Sequence, residues 1–177
     1  MSILTEVLAR DDVTVADLER VYQKICDDPH WQRDALESLS ALDEEQVHRA
    51  LWLLHRRQVD QPLPLAAVEQ VIEATAGARH WLVRLQVGQI LALAGIPERM
   101  LEPAFDYLRE CFSDRRVIVR AWALSALYPL RHDRRFSGEV RRMITAARRD
   151  PGKSMQARLR HLTSAGAREK SHSRDRV

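Results

Sequence analysis

Apolar residues recur at three- and four-residue spacing along most of this chain, broken by short polar or proline-bearing stretches. That pattern predicts helices throughout and no strand. Leu18, Val21, Tyr22 and Ile25 form the first stripe, with Thr14 and Asp17 supplying a short cap and an acid at its start. Asp27-Asp28-Pro29 turns the chain, and Trp31, Ala35, Leu36, Leu39 and Leu42 form the second stripe. A third helix, over 43–57, runs through Val47, Ala50, Leu51, Leu54 and His55. After a linker at Val59 to Pro64, the pattern predicts helices near 64–76 and 79–94, another starting at Gly95-Ile96-Pro97 and running through Leu101 to Phe112, and further helices near 115–130, 135–149 and 153–164. Pro103 is expected to kink its helix or delay its start. Residues 165–177 have almost nothing to bury and are expected to form a disordered basic tail. The expected organisation is one helical domain over 1–164, least regular in 1–60, followed by that tail.

The stripes also repeat. Arg84, with Val83, Val87, Ile90 and Leu91, returns thirty-six residues later as Arg120 in the run Val119 to Leu127. Asp114 returns at the same interval as Asp150, and Leu159 and Leu162 match Ala123 and Ala126. A fixed period on helical spacing predicts stacked two-helix units, because one unit cannot bury both its faces alone.

The segment from Asp114 to Leu127 resembles the second half of a HEAT repeat. It has the turn aspartate, the arginine six residues later, and small or apolar Ala123, Ala126 and Leu127 beyond it. The copy at Arg84 has Ala78 in the aspartate's place, and the copy at Asp150 has Gln156 in the arginine's place. A weaker match runs through Trp31, Gln32, Ala35, Ser38 and Leu39, which leaves helix 43–57 as an extra element. The resemblance covers about residues 27–163. It implies an all-α fold, a HEAT-like α-solenoid of about four stacked hairpins. It also implies an aspartate–arginine ladder in which Arg84 meets Asp114 and Arg120 meets Asp150.

Charge divides the chain unevenly. Residues 1–60 hold seven Lys or Arg against thirteen Asp or Glu, whereas residues 131–177 hold fourteen against five, within a net charge of +3. The C-terminal part is therefore the end that would attract an acidic partner. No apolar run approaches the roughly 18 residues of a membrane span, and the N-terminal residues do not read as a signal peptide. Cys26 and Cys111 lie on apolar helical positions and read as buried free thiols. Together these features suggest a cytoplasmic protein with no membrane association.

Chemistry is sparse. None of the seven histidines pairs with another histidine or a cysteine at helical metal-site spacing, and no nucleophile or phosphate-loop motif occurs. The expectation is a non-catalytic adaptor, with no cofactor or metal, that binds another protein, with an acidic one as a candidate, through a lane on its second helices. That lane comprises Arg33, Glu37, Gln89, Ser125 and His161. A basic face of Arg134, Arg135, Arg141, Arg142, Arg148, Arg149 and Lys153 offers paired hydrogen bonds to carboxylate or phosphate. Its alternative role is sequence-independent contact with a nucleic-acid backbone. The HEAT resemblance adds a third class, base-removing DNA repair glycosylases; no aspartate here matches a motif for that role.

Overall fold

The computed structural model describes residues 3–10 and 12–174, and among them every regular element is helical. The helices are α1 (Ile3–Ala9), α2 (Val15–Ile25), α3 (Trp31–Ser38), α4 (Glu44–Asp60), α5 (Leu65–Thr75), α6 (Trp81–Ala94), α7 (Leu101–Phe112), α8 (Val117–Leu127), α9 (Ser137–Arg148) and α10 (Lys153–Arg174). Local chemistry sets several of their ends. Thr14 Oγ1 accepts from the Asp17 amide at 3.2 Å while the Thr14 amide donates to Asp17 at 2.9 Å, a reciprocal cap for α2. Asp43 caps α4 by accepting from Gln46 N at 2.8 Å. Gly95, at φ 80°, ends α6 in a conformation that side chains disfavour. Pro103 lies in the first turn of α7, where its missing donor costs nothing, behind a 3-10 turn at Glu98–Met100.

The even-numbered helices from α4 onward form a row: α4 packs on α6, α6 on α8 and α8 on α10. On one side of the row, α3 lies against α4, α5 against α6, α7 against α8 and α9 against α10. The seam of the row is built from equivalent positions. Val47, Val83, Val119 and Met155, each thirty-six residues from the last, are all buried, and so are Leu51, Val87, Ala123 and Leu159. Each large aliphatic side chain removed from water there contributes about 1.5–3 kcal/mol. Gly88 lets α6 approach α8 closely, since a Cβ added to it would lie 3.3 Å from Trp122 Cβ.

One sequence expectation changes. Helix 43–57 is no extra element: α4 occupies the row position one period before α6, with His48 in the place of Arg84 and Arg120. The segment of the Trp31 match, α3, packs against α4 and α5. The N-terminal residues form α1, whose Leu4, Val7 and Leu8 are buried, and the buried Arg49 ties it to α4 by donating to the Leu8 carbonyl at 3.1 Å. The backbone of α10 runs on as helix to Arg174. Ala165, Ala167, Arg168, Glu169 and Lys170 are strong helix formers, which outweighs the lone Gly166. Residues 175–177 lie outside the described residues.

Candidate interaction surface

Arg84 and Arg120 occupy equivalent positions near the starts of α6 and α8. Each turns back to a carbonyl six residues earlier: Arg84 Nε donates to Ala78 at 3.2 Å, and Arg120 Nη1 donates to Asp114 at 2.8 Å. Gln156 does the same, donating to the Asp150 carbonyl at 2.6 Å. The arginines also reach forward. Arg84 lies 3.4 Å from Asp114, and Arg120 lies 2.7 Å from Asp150. Arg120, followed by the Gly152 amide, holds the Asp150 carboxyl below its ordinary value. Asp114 and Asp150 each accept a local amide as well, from Arg116 and Gly152 at 2.8 Å, so the turn and the ion pair are one construction. At the other end Ala78 has no carboxylate to offer. There Glu44 accepts from the Arg79 amide at 3.1 Å and from the His80 amide, bridging from the start of α4 to the start of α6.

From α6 onward the row carries a lane of half-buried or exposed positions. On α6 it holds Leu82, Leu85 and Gln89, on α8 Ile118 and Trp122, and on α10 Arg158. Leu93 is 49% exposed and Ile118 36%, high for residues of their size. Arg158 stacks on Trp122 with its guanidinium carbon 3.3 Å from the ring centroid, and Arg116 lies 4.7 Å from the Trp81 centroid. Burial pulls the Arg158 guanidinium below its ordinary value, and its Nε has no hydrogen-bond partner among the described residues. Gln86, only 6% exposed, and Gln89 likewise have unpartnered Oε1 atoms. Such groups leave a polar debt inside an otherwise apolar lane.

The expected lane residues do not all belong to this surface. Arg33 and Glu37 are exposed, but they sit on α3, outside the row, and pair with each other at 3.7 Å. Ser125 is buried because α8 is packed between α6 and α10, and its Oγ donates to the Ala121 carbonyl at 2.9 Å. Gln89 and His161 remain, half-buried and exposed respectively. Sequence reasoning missed Leu82, Trp122 and Arg158, although the pairs Leu82–Ile118 and Trp122–Arg158 fall at the same thirty-six-residue interval as the ladder.

The basic face is present on α9 and its flanks. Arg134, Arg141, Arg142, Arg148, Arg149 and Lys153 are exposed and form no ion pair among the described residues. Arg135 differs: it pairs with Asp133 and Glu98, each at 2.8 Å, and Asp133, then Glu98, hold its guanidinium above the ordinary value. Elsewhere, Cys111 is buried, which pushes its thiol up to about 12, whereas Cys26 is half-buried. Among the described residues no three His, Cys, Asp or Glu groups are placed to hold a metal ion, and no helix is long and apolar enough to cross a membrane.

Compared with protein-family models, curated proteins and solved structures, the chain matches none.

Proposed function

We propose that this protein is a non-catalytic, HEAT-like adaptor whose helical pairs stack as a short α-solenoid and whose row of second helices receives another protein. The observation that carries this reading is the lane itself. Large apolar side chains stay exposed at Leu93 and Ile118 beside buried polar atoms that lack partners. Exposed apolar area of this kind fits a surface that a partner covers. The repeated seam from Val47 to Met155 and the two arginine–aspartate pairs support the stacked arrangement, since each fixes one helical pair on the next.

A second reading has its own observation. The unpaired arginines of α9 suit an anionic partner, including a nucleic-acid backbone. Affinity capture with parent, Ile118→Asp and Arg141→Glu/Arg148→Glu proteins separates the two surfaces. The adaptor reading expects Ile118→Asp to lose partners that the arginine reversal retains. Filter binding to DNA and RNA at two salt concentrations tests the alternative: salt-sensitive retention, lost in the arginine reversal, would move the function to α9.

A further inference from the structure

The helices α6 and α8, and α10 as far as Ser164, contain no Asp or Glu, while α5, α7 and α9 on the other side carry several. Whereas α4 carries Glu44, Glu45 and Asp60, the row is therefore free of negative side chains from α6 to Ser164 of α10. Its cations are not all equal. Arg84 and Arg120 are neutralised by Asp114 and Asp150, but Arg158 forms no ion pair among the described residues. Trp122 covers one face of the Arg158 guanidinium at 3.3 Å, which leaves the in-plane N–H groups to meet a ligand. A planar carboxylate is the group that such an edge recognises best.

We propose that the lane binds an acidic peptide segment of a partner protein, with apolar side chains seated on Leu82, Leu85, Ile118 and Trp122 and a carboxylate on Arg158. This rests on the adaptor reading and specifies its partner chemistry. Complementary charge supplies the specificity: a lane without carboxylates does not repel an acidic segment, and Arg158 orients it. Exposed leucine and isoleucine make much of this surface apolar, which fits a peptide better than a phosphate backbone.

The test is selection from a displayed random peptide library on the immobilised parent protein, followed by fluorescence anisotropy of the enriched peptides. The expected result is enrichment of Asp or Glu together with Leu, Ile or Phe. Affinity should fall with salt and drop about tenfold or more on Arg158→Gln, which removes the charge but keeps the chain length. Circular dichroism and melting of that variant check that the body stays folded, and Ile118→Asp provides an independent block of the lane. Enrichment of basic or neutral peptides that Ile118→Asp abolishes would overturn the acidic preference while leaving the adaptor reading intact. Peptides indifferent to both variants would overturn the site. Single-stranded DNA bound by the parent and lost on Arg158→Gln would overturn the peptide in favour of nucleic acid.

Discussion

Arg120 donates through Nε and Nη2 to one oxygen of Asp150, at 3.2 and 2.7 Å, while its Nη1 reaches 2.8 Å back to the carbonyl of Asp114. One side chain thus closes the turn before its own helix and fixes the turn before the next. The pair is partly shielded, with 22% and 14% of the two side chains exposed. Replacing Arg120 by alanine should lower stability by about 1–3 kcal/mol, read as a shift in the chemical-denaturation midpoint. An unchanged midpoint would remove the ladder as a source of stability.

Acid should weaken the same joint. The folded Asp150 carboxyl titrates below its ordinary 3.8, so its stabilisation is complete above that value. It is lost as pH falls from there through the depressed folded value. Asp150→Asn should be less stable than the parent at neutral pH, and the gap should close under strongly acidic conditions. Denaturation curves at both ends of that range provide the check.

Gly152 follows Asp150 in the turn and donates its amide to the aspartate. A Cβ at this position would strike both methyl groups of Val117 and lie 2.9 Å from Asp150 Oδ1. Val117 is β-branched and stiff, so it has little freedom to give way. Gly152→Ala should therefore destabilise by about 1–3 kcal/mol, whereas Gly77→Ala, where nothing lies within 4 Å of the added carbon, should not. Thermal melting of the two variants side by side tests the contrast.

His48 occupies the arginine slot on α4 without a carboxylate to meet. Burial, then the Arg49 and His80 charges, hold its imidazole below the ordinary 6.5. Above that value it is neutral both folded and unfolded. Below it the unfolded chain takes up a proton that the folded chain resists, so stability should fall as pH drops from about 6.5 through the lower folded value. His48→Gln should make that part of the stability profile shallower, the remaining slope coming from His55, which burial and then Arg56 also hold below the ordinary value; an identical profile would clear His48 of the effect.

Deleting residues 165–177 should leave the melting temperature close to that of the parent. The buried anchors of α10, Met155 and Leu159, both precede the cut. Far-UV circular dichroism should lose the helical signal of residues 165–174. A large fall in melting temperature would mean that this segment supports the body.

Much of this fold was legible because its signals are local. Val83, Val87 and Ile90 display a stripe and a period at once, and Asp114 and Arg120 announce a turn and its partner. The equivalence of α4 was harder to read, because its arginine slot holds His48 and its bridging acid is Glu44 in place of a residue at position 42. The stripe Val47, Leu51 and Leu54 carried the period, but the polar landmarks did not. The lane failed for a different reason. Helical spacing says which positions share a face, but not how closely two neighbours cover it. Ser125 is hidden by the packing of α8 between α6 and α10, a tertiary effect without a local signature.

The joints along the row are keyed in two ways. Between α6 and α8, and between α8 and α10, the key is a particular arginine facing a particular aspartate. Between α4 and α6, Glu44 grips the backbone amides of Arg79 and His80, which every residue but proline possesses. Substitutions at 79 therefore leave that grip intact, and those at 80 lose the ring contact with His48, while a single change at 84, 114, 120 or 150 unlocks one of the others. Drift in sequence would wear the molecule from its C-terminal half, and engineered extension or trimming of the row is best attempted there, where the connectors are discrete and exchangeable.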